Sequence, residues 1–306
     1  MNKAYALLTI AGLVVVALIP ELLQARNKKN CCSGCCCGSK CCPQQEISTI
    51  KNNFTTMAQE EKEDIKKVYA QVANNTSCSF GGKSCGCRAK VSEDIGYTRK
   101  ELDELADANL GLGCGNPILL GDIKEGITII DLGSGAGLDC FLAARKVGQK
   151  GKVIGLDISE AMIKKASTNA IRYGYSNVEF KLGDIENMPI EDEVADIIIS
   201  NCVLSLASDK EIAFKEAFRV LKPGGKMYVS DIVLLSSLTE EQKSDARLRG
   251  TCVLGAINKT SYLEKLARTG FEVAIIDEDT CINKTKYDNE LLPVSSLKYL
   301  AIKPKA

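Results

Sequence analysis

Sulfur is the reactive element this chain carries in quantity: it has fifteen cysteines and not one histidine. Without histidine it lacks the commonest general base near neutral pH and the commonest metal ligand. Any metal or metalloid chemistry must then rest on thiols and carboxylates. Cys202 closes the run Ile198-Ile199-Ser200-Asn201-Cys202-Val203, at the end of an apolar stretch that begins at Ala195. In a doubly wound sheet that end of a strand is where ligands collect, so a thiol there can hold something against a bound nucleotide. Cys114 and Cys252 both lie among glycines, in Gly111-Leu112-Gly113-Cys114-Gly115-Asn116-Pro117 and Gly250-Thr251-Cys252-Val253-Leu254-Gly255-Ala256. Glycine beside cysteine suits close backbone approach better than core packing. Cys140 and Cys281 read instead as small buried hydrophobes.

These thiols need elements to position them, and from Ile127 onward the pattern alternates short β-branched runs with amphipathic helices. Strands are expected at Ile127–Leu132, Lys152–Asp157, Val178–Leu182, Ala195–Ser200, Lys226–Asp231, Phe271–Asp277 and Leu297–Ile302. Helices are expected at Leu138–Val147, Ser159–Tyr173 and Asp209–Leu221, with Glu60–Asn74 and Thr98–Ala108 ahead of them. Such alternation argues a mostly parallel α/β sheet. The charge is balanced, 39 basic against 39 acidic residues, which speaks against a nucleic-acid partner.

The N-terminal part is different in kind. Seventeen uncharged residues, Ala4 to Pro20, precede Arg26, Lys28 and Lys29. As a helix this run would span roughly 25 Å, which suits an uncleaved membrane anchor with the basic flank kept cytoplasmic. A cleaved signal peptide and a soluble apolar helix are the alternatives. Seven cysteines then fall between Cys31 and Cys42, in a segment too polar and glycine-rich to bury a core. It reads as a soft-ion scavenging tail, a linker with incidental thiols, or a palmitoylated stretch. The expected division is an anchor over 1–30, a Cys-rich linker over 31–59 and a helical, cysteine-bearing substrate segment over 60–120. A nucleotide-binding core over 121–235 and a C-terminal segment over 236–306 complete it.

The nucleotide site is read from Thr128-Ile129-Ile130-Asp131-Leu132-Gly133-Ser134-Gly135-Ala136-Gly137, an apolar strand running into a glycine loop and a helix. Asp157 ends the next strand, where a carboxylate can accept from ribose hydroxyls. Asp131 stands where a dinucleotide fold usually keeps an apolar residue, and it suits a cationic amino-acid cofactor better than a pyrophosphate. A third acid, Asp184 in Leu182-Gly183-Asp184-Ile185-Glu186, is placed to meet an adenine. This arrangement, with the turn Val220-Leu221-Lys222-Pro223-Gly224-Gly225, resembles the class I S-adenosylmethionine (SAM)-dependent methyltransferases. A seven-stranded Rossmann-like sheet is the fold implied. The cofactor set implied is Asp131, Gly133, Ser134, Gly135, Gly137, Asp157, Gly183, Asp184, Ile185 and Asn201. A Rossmann-type oxidoreductase is the alternative.

Within that superfamily the contexts of Cys114, Cys202 and Cys252 resemble the arsenite methyltransferases, over roughly Val68 to Phe271. The resemblance implies that Cys202 and Cys252 bind arsenic, that Cys114 joins them, and that Cys78 is a fourth functional thiol, with Cys85 and Cys87 as other candidates. It departs at Ser205, where the family commonly has asparagine. It further implies As(III) or its glutathione conjugate as substrate, and thioredoxin or glutathione as reductant of an enzyme disulfide. No tightly bound metal is expected in the catalytic domain. A reduced thiol site belongs in a reducing compartment, so the catalytic domain is expected on the cytoplasmic face or free in the cytoplasm. Two other readings are weighed: a membrane-associated methyltransferase of a quinone-like apolar substrate, and a tethered thiol protein that sequesters soft metals. The first leaves three glycine-flanked thiols idle, and the second leaves the acidic and glycine constellation idle.

Overall fold

A computed structural model describes residues 7–10, 13–16, 44–74 and 86–305. Its strands are β1 (Leu7–Ile10), β2 (Leu13–Val16), β3 (Thr128–Leu132), β4 (Lys152–Asp157), β5 (Val178–Leu182), β6 (Ala195–Asn201), β7 (Leu221–Leu234), β8 (Glu272–Asp279) and β9 (Val294–Ile302). The helices are α1 (Gln44–Asn74), α2 (Gly86–Asp94), α3 (Arg99–Glu104), α4 (Pro117–Leu120), α5 (Leu138–Val147), α6 (Glu160–Tyr173), α7 (Lys210–Val220), α8 (Glu240–Ser244), α9 (Cys252–Gly255), α10 (Lys259–Arg268) and α11 (Ile282–Thr285).

One sheet runs in the order β1-β2-β8-β9-β7-β6-β3-β4-β5. Strands β3 to β7 pair in parallel, while β9 lies antiparallel between β7 and β8. The seven strands expected from sequence are therefore all present, and the last two belong to the same sheet as the nucleotide core. The inner parallel strands β3, β4 and β6 are largely buried on both faces because helices cover both. Side chains alternate between those faces: Ile129, Ile197 and Ile199 pack in one buried layer, Ile130, Leu132 and Ile198 in the other. The register of β6 against β7 shifts between Ala195 and Ile197, which absorbs the Lys222-Pro223-Gly224-Gly225 turn at the start of β7.

The described residues depart from three expectations. Within the apolar run Ala4–Pro20 the described residues form the antiparallel hairpin strands β1 and β2, and β2 pairs with β8 at Val15–Ala274. Hydrophobicity alone does not separate helix from strand, and Val14-Val15-Val16 is β-branched, which favours the strand. Among the described residues no helix is long and apolar enough to cross a membrane. Second, α1 begins at Gln44 rather than Glu60, so part of the expected linker is helical. Ile47, Ile50, Phe54 and Met57 continue the three-and-four spacing that this requires. Third, α3 ends at Glu104; its start is held by a capping box in which Thr98 and Glu101 satisfy each other's backbone N–H groups. Residues 31–42, with their seven cysteines, lie outside the described residues, as do Cys78 and Cys85.

Candidate active site

Strand β3 leads to β4 on one side and has β6 on the other, so the strand order reverses at β3 and β6. A crevice opens there beyond the carboxyl ends of the strands. It becomes a cleft of about 1140 Å³ including its open mouth, bordered by the glycine loop, the ends of β4 and β6, and one face of α1. The loop turns through left-handed backbone at Gly133, Gly135 and Gly137. A Cβ on Gly133 would stand 2.1 Å from Val203 Cγ2, so only glycine lets the loop meet the chain just past Cys202. A Cβ on Gly135 would meet nothing within 4 Å, which leaves that backbone bare toward the cleft. Asp157 braces the loop: its carboxylate accepts from the Gly135 N–H at 2.9 Å and the Ser159 N–H at 2.8 Å.

Two more carboxylates are buried in the cleft wall. Asp131 is 2% exposed, and the Cys140 thiol donates to its Oδ2 at 3.2 Å. Burial, and then the neighbouring Asp139, push its acid well above the usual carboxylate range. Asp139 accepts from the Tyr97 hydroxyl at 2.6 Å and from Asn201 Nδ2 at 3.2 Å, and burial pushes it up to about 6. Among the described residues neither carboxylate has an ion-pair partner. A cation placed between them would relieve the cost of both charges. The α-ammonium of SAM is such a cation, so the donor set fits the cofactor that the sequence implies. Asp184 differs from the expectation: Lys62 on α1 reaches its Oδ2 at 2.7 Å and Glu186 Oε2 at 2.8 Å. Asp184 and Ile185 still border the cleft, with α1 pinned across its mouth.

The thiols meet on the β6 side. Cys202 has left-handed backbone, φ 64°, a rare conformation for a side-chain-bearing residue and one that concentrates at functional sites. Its N–H donates to the Ser230 carbonyl at 2.8 Å, and the Cys114 thiol donates to that same carbonyl at 3.3 Å. Asn201 fastens the Cys114 turn: its Oδ1 accepts from the Cys114 N–H at 2.9 Å and its Nδ2 donates to the Gly115 carbonyl at 2.7 Å. Gly113 and Gly115 are needed for this approach, since Cβ atoms there would lie 2.7 Å from Asn201 Nδ2 and 2.4 Å from Ser230 Oγ. Cys202 Sγ lies 2.7 Å from Cys252 Sγ, and all three cysteines are buried and free. Burial pushes the Cys202 and Cys252 thiols up, and the Lys286 ammonium acts against it. Cys202 borders the cofactor cleft, with the other two thiols behind it.

Cys140 is buried as expected, but Cys281 is exposed, at the N-terminus of the short α11 on the surface. Cys87 lies on α2. Ser205 is buried, with its carbonyl against Gly255 of the Cys252 segment, where a Cβ would stand 2.3 Å away. Sequence reasoning missed Lys286 and Tyr287. Lys286 Nζ stands 3.4 Å from Cys202 Sγ and 3.9 Å from Cys252 Sγ, and the Tyr287 hydroxyl is 2.9 Å from Cys252 Sγ. They come from a polar segment between α11 and β9 that carries no motif. Tyr97 was also missed; its hydroxyl joins Asp139 to Asn201.

Residues 123–270 match the family model of a methyltransferase domain. The chain is 38% identical over 253 residues to an arsenite methyltransferase of Halobacterium salinarum, covering 76% of this chain and 65% of that one. It is 34% identical over 217 residues to the arsenite methyltransferase of Homo sapiens, covering 67% and 56%. The crystal structure of CrArsM, an arsenic(III) SAM methyltransferase of Chlamydomonas reinhardtii, superposes with a TM-score of 0.54 at 29% identity, over 71% of this chain and 73% of that one. The chain spans less than two thirds of the length of these two curated relatives. The fold and the cleft at its switch point are those of the class I SAM-dependent methyltransferases. Within them the chain is similar to the arsenite methyltransferases.

Proposed function

We propose that this chain methylates trivalent arsenic with SAM, holding the arsenic on the thiolates of Cys114, Cys202 and Cys252. The observation that carries this is the convergence of three buried free thiols, from three separate segments, beside the cofactor cleft, with Cys202 in its wall. Soft sulfur ligands select a soft centre such as As(III). Each thiolate replaces a hydroxide or a glutathione sulfur on arsenic, and the departing group leaves protonated as water or free thiol. Asp131 and Asp139 hold the cofactor's cationic end, the glycine loop lets backbone close on it, and Asp184 borders its far end. When bound, SAM supplies an electrophilic methyl group on a sulfonium. Arsenic offers a lone pair rather than a proton, so the site needs no general base, and the task left to the thiols is positioning. A chain without histidine suits that task.

The same reading takes Cys78 as a fourth thiol and takes thioredoxin or glutathione as the reductant that restores the thiols after turnover. It puts the catalytic domain in a reducing compartment. It also keeps attachment to a membrane through residues 4–20, an alternative use of the apolar residues that form β1 and β2; extraction of the full chain from membranes by carbonate, without detergent, counts against attachment. The function itself is tested with purified protein, arsenite, glutathione and SAM labelled in its methyl group. Labelled methylarsenical supports the proposal. Label on an added demethylated quinol, with none on arsenic, supports the quinone-type reading instead.

A further inference from the structure

Lys286 lies outside every sequence motif, yet it sits inside the thiol cluster. An ammonium has three N–H donors and no acceptor. Around Lys286 Nζ stand Cys202 Sγ at 3.4 Å, Cys252 Sγ at 3.9 Å and the carbonyl of Leu112. Leu112 is two residues before Cys114 in the same glycine-rich turn. One cation thus touches the three segments that carry the three cysteines.

The surroundings of this cation are unusual. It is partly buried, and the groups facing its ammonium are the thiols of Cys202, Cys252 and Cys114, the phenol of Tyr69 on α1, and Tyr287, whose ring centroid is 5.4 Å from Nζ. No carboxylate among the described residues forms an ion pair with it. A partly buried ammonium without a carboxylate needs other polar partners, and here sulfur is what lies in reach. Hydrogen bonds donated by an ammonium are about twice as strong as neutral ones, so the pairing favours sulfurs turned toward Nζ. Lys286 does not itself border the cofactor cleft.

We propose that Lys286 is a positioning residue for arsenic capture, its ammonium gathering the Cys114 turn, Cys202 and Cys252 into one preassembled cup. This rests on the arsenic-binding reading above. The test uses the full chain, as wild type, Lys286→Met and Lys286→Arg, and asks how much arsenite half-protects Cys202 and Cys252 from iodoacetamide, read by peptide mass spectrometry. Lys286→Met should need about tenfold more arsenite or beyond, the usual scale for losing charge-assisted hydrogen bonds, and Lys286→Arg should recover most of that loss. In turnover, KM for arsenite should rise in Lys286→Met while KM for SAM stays put, a split that general loosening of the fold would not give. Equal protection of wild type and Lys286→Met overturns this inference alone. A wild type left unprotected at every arsenite concentration overturns the proposed function, and the inference with it.

Discussion

Cys202 Sγ stands 2.7 Å from Cys252 Sγ, across fifty residues of sequence, and the two are joined by no disulfide. The pair is brought together by two different devices. Cys252 opens the short helix α9, which packs on the turn after β6 through Gly255. Cys202 is aimed by its own left-handed backbone. A left-handed conformation costs a residue with a Cβ about 1–2 kcal/mol, and glycine escapes that cost. Cys202→Gly should therefore be more stable than Cys202→Ala by about 1 kcal/mol, although both lack the thiol. Chemical denaturation of the two variants checks the order; an equally or more stable alanine variant contradicts the strained backbone.

Asp139 gives a dependence on pH. Its folded acid lies at about 6, above the ordinary value for aspartate of about 3.9, so the folded state prefers the protonated form. That preference contributes fully below about pH 4 and is lost as pH rises through 6. The ligand-free wild type should lose stability relative to Asp139→Asn across that window, by a few kcal/mol at most, since each tenfold change in proton affinity is worth about 1.4 kcal/mol. Paired thermal melts from pH 4 to 7 measure the difference; a constant gap between the two proteins contradicts the assignment.

Asp131 tests the cofactor side. Among the described residues its buried carboxylate accepts only from the Cys140 thiol, so a cationic ligand has most to gain from it. Asp131→Asn should weaken SAM binding by about ten- to a hundredfold, the scale of a lost hydrogen bond to a charged group. Calorimetric titration reads this directly, and unchanged affinity would mean that the ammonium binds elsewhere.

Much of this was legible in the sequence because local rules and global fold agree. Lys152–Asp157, Val178–Leu182 and Leu138–Val147 follow from period and glycine punctuation alone, and each matches its observed bounds. The glycines around Cys114 foretold close approach because a Cβ there has nowhere to go. The apolar segment before residue 20 was less legible, since seventeen apolar residues fit either a helix or a strand pair. Lys286 was illegible for a different reason. A lysine in a polar stretch is ordinarily solvated, and only the tertiary fold of β9 and α11 carries this one into the thiol cluster.

Lys62 is the tie between α1 and the cleft. Its bonds to Asp184 and Glu186 are partly exposed, so their combined worth is modest. Lys62→Met should loosen α1, seen as faster proteolytic cleavage within residues 58–74, and raise KM for SAM by no more than about fivefold, the scale of one such pair. Cleavage at the wild-type rate would show that α1 is held by its apolar face, through Val72 and Ala73 against Met162, rather than by the ion pair.

On the proposed function, Cys202 and Cys252 hold the arsenic while it is methylated. A single-turnover experiment measures this: the full chain is loaded with one equivalent of arsenite and chased with methyl-labelled SAM. Label should move to arsenic in the wild type and at least about a hundredfold more slowly in Cys202→Ser and Cys252→Ser, the usual cost of misplacing a reacting centre. Transfer at the wild-type rate in either serine variant would contradict the account.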